Sequence, residues 1–182
     1  MKTRYSPKNT FTIVNNQNIF DIAKERINAE TNSATVLIPH VCNNVNGFGA
    51  GFAGQIASLY PEVKANFHLL GNQAKLGHVQ FVTADSESRN KNKIIFANMI
   101  SQNGIISRSN NRPLNYGALV YCMNQVRAFA KEYNRTNEID NFEIHAPKFG
   151  SGLAGGNWSF ISYLIDDIWS DLNVFIYNYI KK

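Results

Sequence analysis

The sequence predicts a three-layer α/β/α sandwich around a mixed central sheet of about six strands, built as one domain over residues 1–182. Short β-branched and apolar runs alternate with longer segments of helical period. The run Ala34-Thr35-Val36-Leu37-Ile38 is apolar almost throughout, which marks a strand covered on both faces. No internal repeat and no Pro/Gly/Ser-rich linker interrupts this alternation. A chain of 182 residues is also long enough to bury a core without disulfides or a structural metal.

The elements follow in order. Phe11 to Val14 reads as a strand, and Ile19, Ala23 and Ile27 form one stripe of an amphipathic helix. After the strand at 34–38 comes a Gly-rich stretch from Gly47 to Gly54, passing into a helix through Leu59. Pro61 suits the first turn of a second helix running to about Leu70. Val79–Val82 and Ile94–Ile100 are strands flanking the charged turn Asp85 to Lys93. Leu114 to Tyr133 carries a helical stripe through Ala118, Cys122, Val126 and Phe129. Phe142 to His145 is a short strand, Asn157 an N-cap for a helix facing inward at Trp158, Ile161, Leu164, Ile165 and Ile168, and Asn173 to Tyr179 a closing strand.

Composition excludes several classes. Hydrophobic residues are 44% and charged residues 17%, unlike a disordered chain or a coiled coil. Eighteen Lys+Arg against thirteen Asp+Glu leave +5, which favours an anionic partner. Cys42 and Cys122 have neither metal spacing nor a disulfide framework, so a reducing cytoplasm is expected, with no metal and no cofactor. No apolar run nears the roughly 18 residues a membrane span needs, and Met1 to Arg4 leads into polar sequence rather than a signal core.

Two glycine-rich segments stand where α/β sheets bind ligands, each following a strand and running into a helix. The first is His40 to Gly54, with Gly47-Phe48-Gly49-Ala50-Gly51-Phe52 at its centre. The second is Pro147 to Trp158, with Phe149-Gly150-Ser151-Gly152-Leu153-Ala154. Amides at a helix N-terminus, approached closely through glycine, form a donor surface matched to phosphate. Two such loops would grip a diphosphate from both sides. Gly49 to Gly54 also matches G-x-G-x-x-G. The polar stretch before it, and the absence of an acid in the window around Asn72 to Lys75, argue against a dinucleotide fold of the Rossmann type.

His40-x-Cys42-Asn43 followed by Phe48-Gly49-Ala50-Gly51, together with Pro147-Lys148-Phe149-Gly150-Ser151-Gly152-Leu153 and Trp158, resembles the macrodomains, over nearly the whole chain. The likeness is to the branch holding the terminal ADP-ribose protein glycohydrolase and the yeast-type ADP-ribose 1″-phosphate phosphatase. It implies a site for ADP-ribose. Asn18 and Ile19 would stand where the family places Asp-Ile against adenine. The first loop would wrap the distal ribose and a phosphate with Phe48 as an apolar lid, and Gly150 to Ala154 would supply amides to the diphosphate.

The same resemblance bears on catalysis. The glycohydrolase branch uses a lysine at a strand end and an aspartate in the second loop; here Ala97 to Gln102 holds no lysine, and Ala154 stands at the aspartate position. His40 matches a histidine of the phosphatase branch, with an imidazole suited to activating water or protonating a leaving oxygen; Asn43 would orient a hydroxyl or that water. The expectation is hydrolysis of an ADP-ribose derivative, either the 1″-phosphate or an ADP-ribosylated macromolecule. The alternative is a non-catalytic reader or sequestering protein for ADP-ribose or a related NAD-derived nucleotide. A nucleic-acid binder using Arg89, Lys91, Lys93, Arg108, Arg112, Lys181 and Lys182 is disfavoured, because these charges are scattered and lack interleaved aromatics. His68, His78, Asp166 and Asp167 read as solvated surface, His145 as a strand residue packed beneath the second loop, and both cysteines as small buried side chains.

Overall fold

The computed structural model describes residues 10–85, 91–137 and 141–178. Along the chain lie β1 (Thr12–Asn15), α1 (Ile19–Asn28), β2 (Thr35–Asn43), α2 (Gly51–Leu59), α3 (Pro61–Leu69), β3 (Val79–Asp85), β4 (Ile94–Gln102), α4 (Tyr116–Asn137), β5 (Phe142–Pro147), α5 (Trp158–Ile168) and β6 (Asn173–Asn178). The strands form one sheet in the order β1-β6-β5-β2-β4-β3. All neighbours pair in parallel except β3 with β4. This is the mixed six-stranded α/β sandwich that the alternating pattern predicts. Among the described residues, no helix is long and apolar enough to cross a membrane.

Alternation along β2 explains why the run is apolar on both sides. Val36, Ile38 and Cys42 join Ile19, Phe20, Ala23 and Ile27 of α1 and Ile56, Val63 and Phe67 of α2 and α3 in one core. Leu37 points the other way, into a second core with Ile95, Ala97 and Met99 of β4, Cys122, Met123 and Val126 of α4, and Ile161 and Ile165 of α5. Trp169 is fully buried there and donates from its indole N–H to the Met123 carbonyl at 2.9 Å. Each buried Val, Leu, Ile, Phe or Met among them contributes about 1.5–3 kcal/mol by leaving water. Cys42 and Cys122 are buried on opposite faces of the sheet, and neither is in a disulfide.

Several boundaries differ from the sequence reading. β2 runs on to Asn43 and β4 to Gln102, because pairing from Val36–Ile94 through Asn43–Gln102 satisfies their backbone groups despite polar side chains. His40 and Cys42 are therefore strand residues rather than loop residues. α4 begins at Tyr116, since Leu114 is drawn into a bridge with Gln102 and the Asn115 carboxamide accepts the Ala118 N–H as an N-cap does. Asp166 is not simply solvated: its carboxylate accepts from both the backbone and the hydroxyl of Thr10, at 2.7 and 2.9 Å. Met1 to Arg4, Arg89, Tyr179, Lys181 and Lys182 lie outside the described residues.

A buried polar cluster ties α1 to β5 and β6. The Arg26 guanidinium grips the Glu143 carboxylate at 2.8 and 2.5 Å, His145 donates from Nε2–H to the same carboxylate at 2.9 Å, and the Tyr177 hydroxyl bonds His145 Nδ1 at 2.7 Å. Burial alone would raise the Glu143 pKa. Hydrogen bonds from His145 and Arg26 outweigh it and hold the carboxyl at about 2.

Candidate functional site

Three adjacent strands, β5, β2 and β4, point their carboxyl ends to one edge of the sheet, and the loops that leave them surround a hollow of about 590 Å³. Of the residues expected at the site, His40, Asn43, Gly47, Phe48, Gly49, Ala50, Gly51, Phe52, Phe149, Gly150, Gly152, Leu153 and Ala154 line it. The two glycine loops meet across its mouth, where Leu153 Cδ1 comes within 3.4 Å of the point from which a Gly51 side chain would grow.

Helix starts differ in a way that matters. α1 is capped by Asn18, whose Oδ1 accepts from Phe20 N at 2.8 Å and Asp21 N at 3.4 Å, and α5 by Asn157, which accepts from Phe160 N at 3.2 Å. α2 opens after Ala50 with no side-chain cap, and its first intrahelical donor is Gly54. The N–H groups of Gly51, Phe52 and Ala53 thus lack a partner among the described residues, at the positive end of a helix dipole that borders the hollow. On the opposite wall, the N–H groups of Gly152, Leu153 and Ala154 are likewise unengaged by described residues. Unengaged donors at a helix start are chemically suited to an anion.

The glycines divide into two kinds. A Cβ on Gly156 would lie 2.4 Å from Leu114 Cδ2 and 2.6 Å from the Gly150 carbonyl, so glycine there lets the second loop pack on the body of the protein. At Gly49 and Gly152 a Cβ would meet nothing within 4 Å. Protein packing does not demand glycine at these two positions, and the space beside them is open to a ligand.

Several predicted residues have other jobs. Asn18 caps α1 and Ile19 is buried in the core; neither lines the hollow. Ser151 also stays outside it, its hydroxyl bonding the Lys148 carbonyl at 2.8 Å. Phe48 is no lid: it is 4% exposed, packed on Phe67 and edge-on to His40. Asn43 folds the first loop, accepting from Val45 N and Gly47 N and donating to the Gly47 carbonyl at 2.8 Å. Its amide oxygen and one of its two N–H groups are engaged within the chain itself.

His40 is buried beside the start of α2, and its protonation follows from a chain of bonds. Gln80 donates to the Asn66 carbonyl, which leaves its amide oxygen to accept from Asn98; Asn98 Oδ1 then accepts from His40 Nε2–H at 2.6 Å. Burial pushes the imidazole down to about 4, against the opposing hydrogen bonds to Asn98 and the Val41 backbone. The ring is therefore neutral at neutral pH. Burial also raises the Cys42 thiol well above its usual range, which makes it a poor nucleophile. Lys148 lines the hollow with its ammonium 5.6 Å from the Trp158 ring.

Sequence reasoning missed Gln102, Ile105 and Ile106, which form a third wall from the β4–α4 loop. The only available signal was an aliphatic pair inside a polar loop after a strand. Of the basic residues weighed as a nucleic-acid face, the four described ones do not gather: Lys91 and Lys93 precede β4 while Arg108 and Arg112 follow it, roughly 30 Å of strand apart.

No family model matches the sequence. The chain is 28% identical over 142 residues to an uncharacterized 17.5 kDa protein from the tk-vs intergenic region of Enterobacteria phage T4, covering 76% of this chain and 83% of that one. Among solved structures, a macrodomain protein from Streptomyces coelicolor superposes with a TM-score of 0.63 at 26% identity, over 91% of this chain and 98% of its own. Thermosipho africanus DarTG in complex with ADP-ribose superposes with a TM-score of 0.59 at 16% identity, over 80% of this chain and 39% of its own.

Proposed function

This chain is a macrodomain by fold, and from that premise we propose that it binds ADP-ribose in the hollow between its two glycine loops. One observation carries the reading: the uncapped start of α2 faces unengaged amides of the second loop across a cavity of ligand size. The diphosphate would lie between them, with the net charge of +5 favouring its approach. The ADP-ribose complex of the Thermosipho relative supports the choice of ligand. We read the protein as a binder or sequestering protein in the first place, because no carboxylate lines the hollow among the described residues and Asn43 is engaged in its own loop.

Hydrolysis of an ADP-ribose derivative is a second reading, favoured by one feature: a neutral imidazole, His40, in the wall. Calorimetry against ADP-ribose, ADP and NAD tests binding. Assays for phosphate release from ADP-ribose 1″-phosphate, and for ADP-ribose release from modified protein or nucleic acid, test turnover. Binding without turnover supports the reader; turnover lost in His40→Ala with binding kept supports the hydrolase. Absence of binding to all three nucleotides overturns both.

A further inference from the structure

The two glycine loops leave neighbouring strands, β2 and β5, but run to opposite faces of the sheet. α2 packs through Ile56 into the core it shares with α1, and α5 through Ile161 and Ile165 into the core it shares with α4. Among the described residues, no hydrogen bond joins one loop to the other. They touch where Leu153 comes beside Gly51, an apolar contact that has no direction. A ligand gripped from both walls needs the gap between them held, and the sheet fixes only where each loop begins.

The connection between β4 and α4, residues 103–115, bonds to both loops. On the side of the first loop, Asn44 makes the join. Its backbone N–H donates to the Gln102 carbonyl at 3.0 Å, its Oδ1 accepts from Gly104 N–H at 2.8 Å, and its Nδ2 donates to Asn103 Oδ1 at 3.1 Å. On the side of the second loop, Leu114 N–H donates to the Ala154 carbonyl at 3.0 Å. The Tyr116 hydroxyl, at the first residue of α4, accepts from Asn157 N–H at 2.8 Å. Leu114 also packs beneath this loop, 3.2 Å from where a Gly150 Cβ would stand, and a Gly155 Cβ would stand 2.6 Å from the Asn111 carbonyl oxygen. The connection is itself stiff. Across its base Asn103 N–H donates to the Pro113 carbonyl and Asn115 N–H to the Ser101 carbonyl, each at 2.8 Å. Inside it the Asn110 carboxamide donates to the carbonyls of Asn103 and Ile105 at 2.9 and 3.1 Å.

We propose that this connection is a rigid spacer that sets the distance between the two glycine loops, with Asn44 and Tyr116 as the positioning residues at its ends. Neither residue is among those that line the hollow, so both act through the loops rather than on a ligand. The effect on affinity rests on the ADP-ribose reading; the coupling of the loops rests on the geometry of the protein alone. A diphosphate entering between donors already held in place incurs little ordering cost, and a spacer freed at either end brings that cost back.

Two variants test it. Asn44→Ala removes the side-chain bonds of the first join, and Tyr116→Phe removes a single oxygen from the second while keeping the ring beside Phe160 and Arg112. Amide proton–nitrogen NMR spectra are first compared without ligand. Asn44→Ala is expected to shift the signals of Gly152 to Ala154, and Tyr116→Phe those of Gly49 to Phe52, in each case on the loop that the changed side chain does not bond. Calorimetry with ADP-ribose follows, at a temperature where melting curves show every variant folded. Each variant is expected to lose about five- to tenfold in affinity, and the double variant less than the product of the two, because both release one spacer. Shifts confined to the loop that each side chain bonds, native affinity in both variants, or strict additivity overturns the spacer and leaves ADP-ribose binding standing. If the native chain binds no ADP-ribose, that reading falls, and the ligand-free spectra still decide the spacer.

Discussion

At the scale of single residues, Gly49 and Gly152 separate ligand space from protein packing. Because nothing stands within 4 Å of either would-be Cβ, Gly49→Ala and Gly152→Ala should leave thermal unfolding almost unchanged while weakening ADP-ribose by about tenfold or more. Gly156→Ala should instead lower stability by about 1–3 kcal/mol, as its Cβ meets Leu114 and the Gly150 carbonyl. Parallel melting curves and titrations distinguish the two outcomes. His40 carries a separate signature. Its folded pKa of about 4 lies below the unfolded 6.5, so the stability it contributes is complete above pH 6.5 and is lost as pH falls toward 4. Nitrogen-detected NMR should show a neutral Nε2–H ring at pH 6, and His40→Gln should flatten the stability profile in that window. The sequence placed His40, Asn43 and both glycine loops near a ligand. It did not show that His40 is locked by Asn98 and Gln80, because those partners lie on other strands and only tertiary pairing brings them together.

The helices and strands were largely legible, since periodicity and caps are local. Asn157 announced α5, and the stripe Ile19, Ala23, Ile27 announced α1. What misled the reading was polar sequence at strand ends: His40 to Asn43 looks like loop and is strand, because pairing with β4 satisfies its backbone. Asn18, expected against adenine, caps α1 through its Oδ1 and does not line the hollow. The missing cap of α2 yields the prediction proper to this scale. Ala50→Asp would supply a carboxylate to the first-turn amides, stabilising the protein by about 1 kcal/mol and lowering ADP-ribose affinity, because side chain and diphosphate compete for the same donors. A higher melting temperature with weaker binding is the expected pair; unchanged affinity would mean that the helix start is not where the phosphates lie.

Over the whole molecule, two cores lie on either side of the sheet, and on the face that α1 covers the Arg26–Glu143–His145–Tyr177 cluster ties that helix to β5 and β6. Glu143, held at about 2 against an ordinary 4.5, stabilises the fold above pH 4.5, and that contribution fades as pH falls toward 2. Glu143→Gln should remove this lower window from the acid-unfolding curve and cost about 3 kcal/mol near neutrality, because it strands a partly covered guanidinium. Ile105 and Ile106 belong to this scale as well. An aliphatic pair in a polar loop is their one local signal; they line the hollow because β4 lies beside β2, a choice of strand order that the sequence does not display.

Walls drawn from the ends of β2, β4 and β5 also mean that no short fragment can reproduce the hollow: a piece must reach from before Thr35 to beyond Ala154 and carry folded sheet between. Occupancy is then a report on the entire native state. At a hundredfold excess over its dissociation constant a true ligand would add about 2.7 kcal/mol to unfolding. A plain melting screen over a nucleotide library would therefore rank candidate occupants without any assay for chemistry.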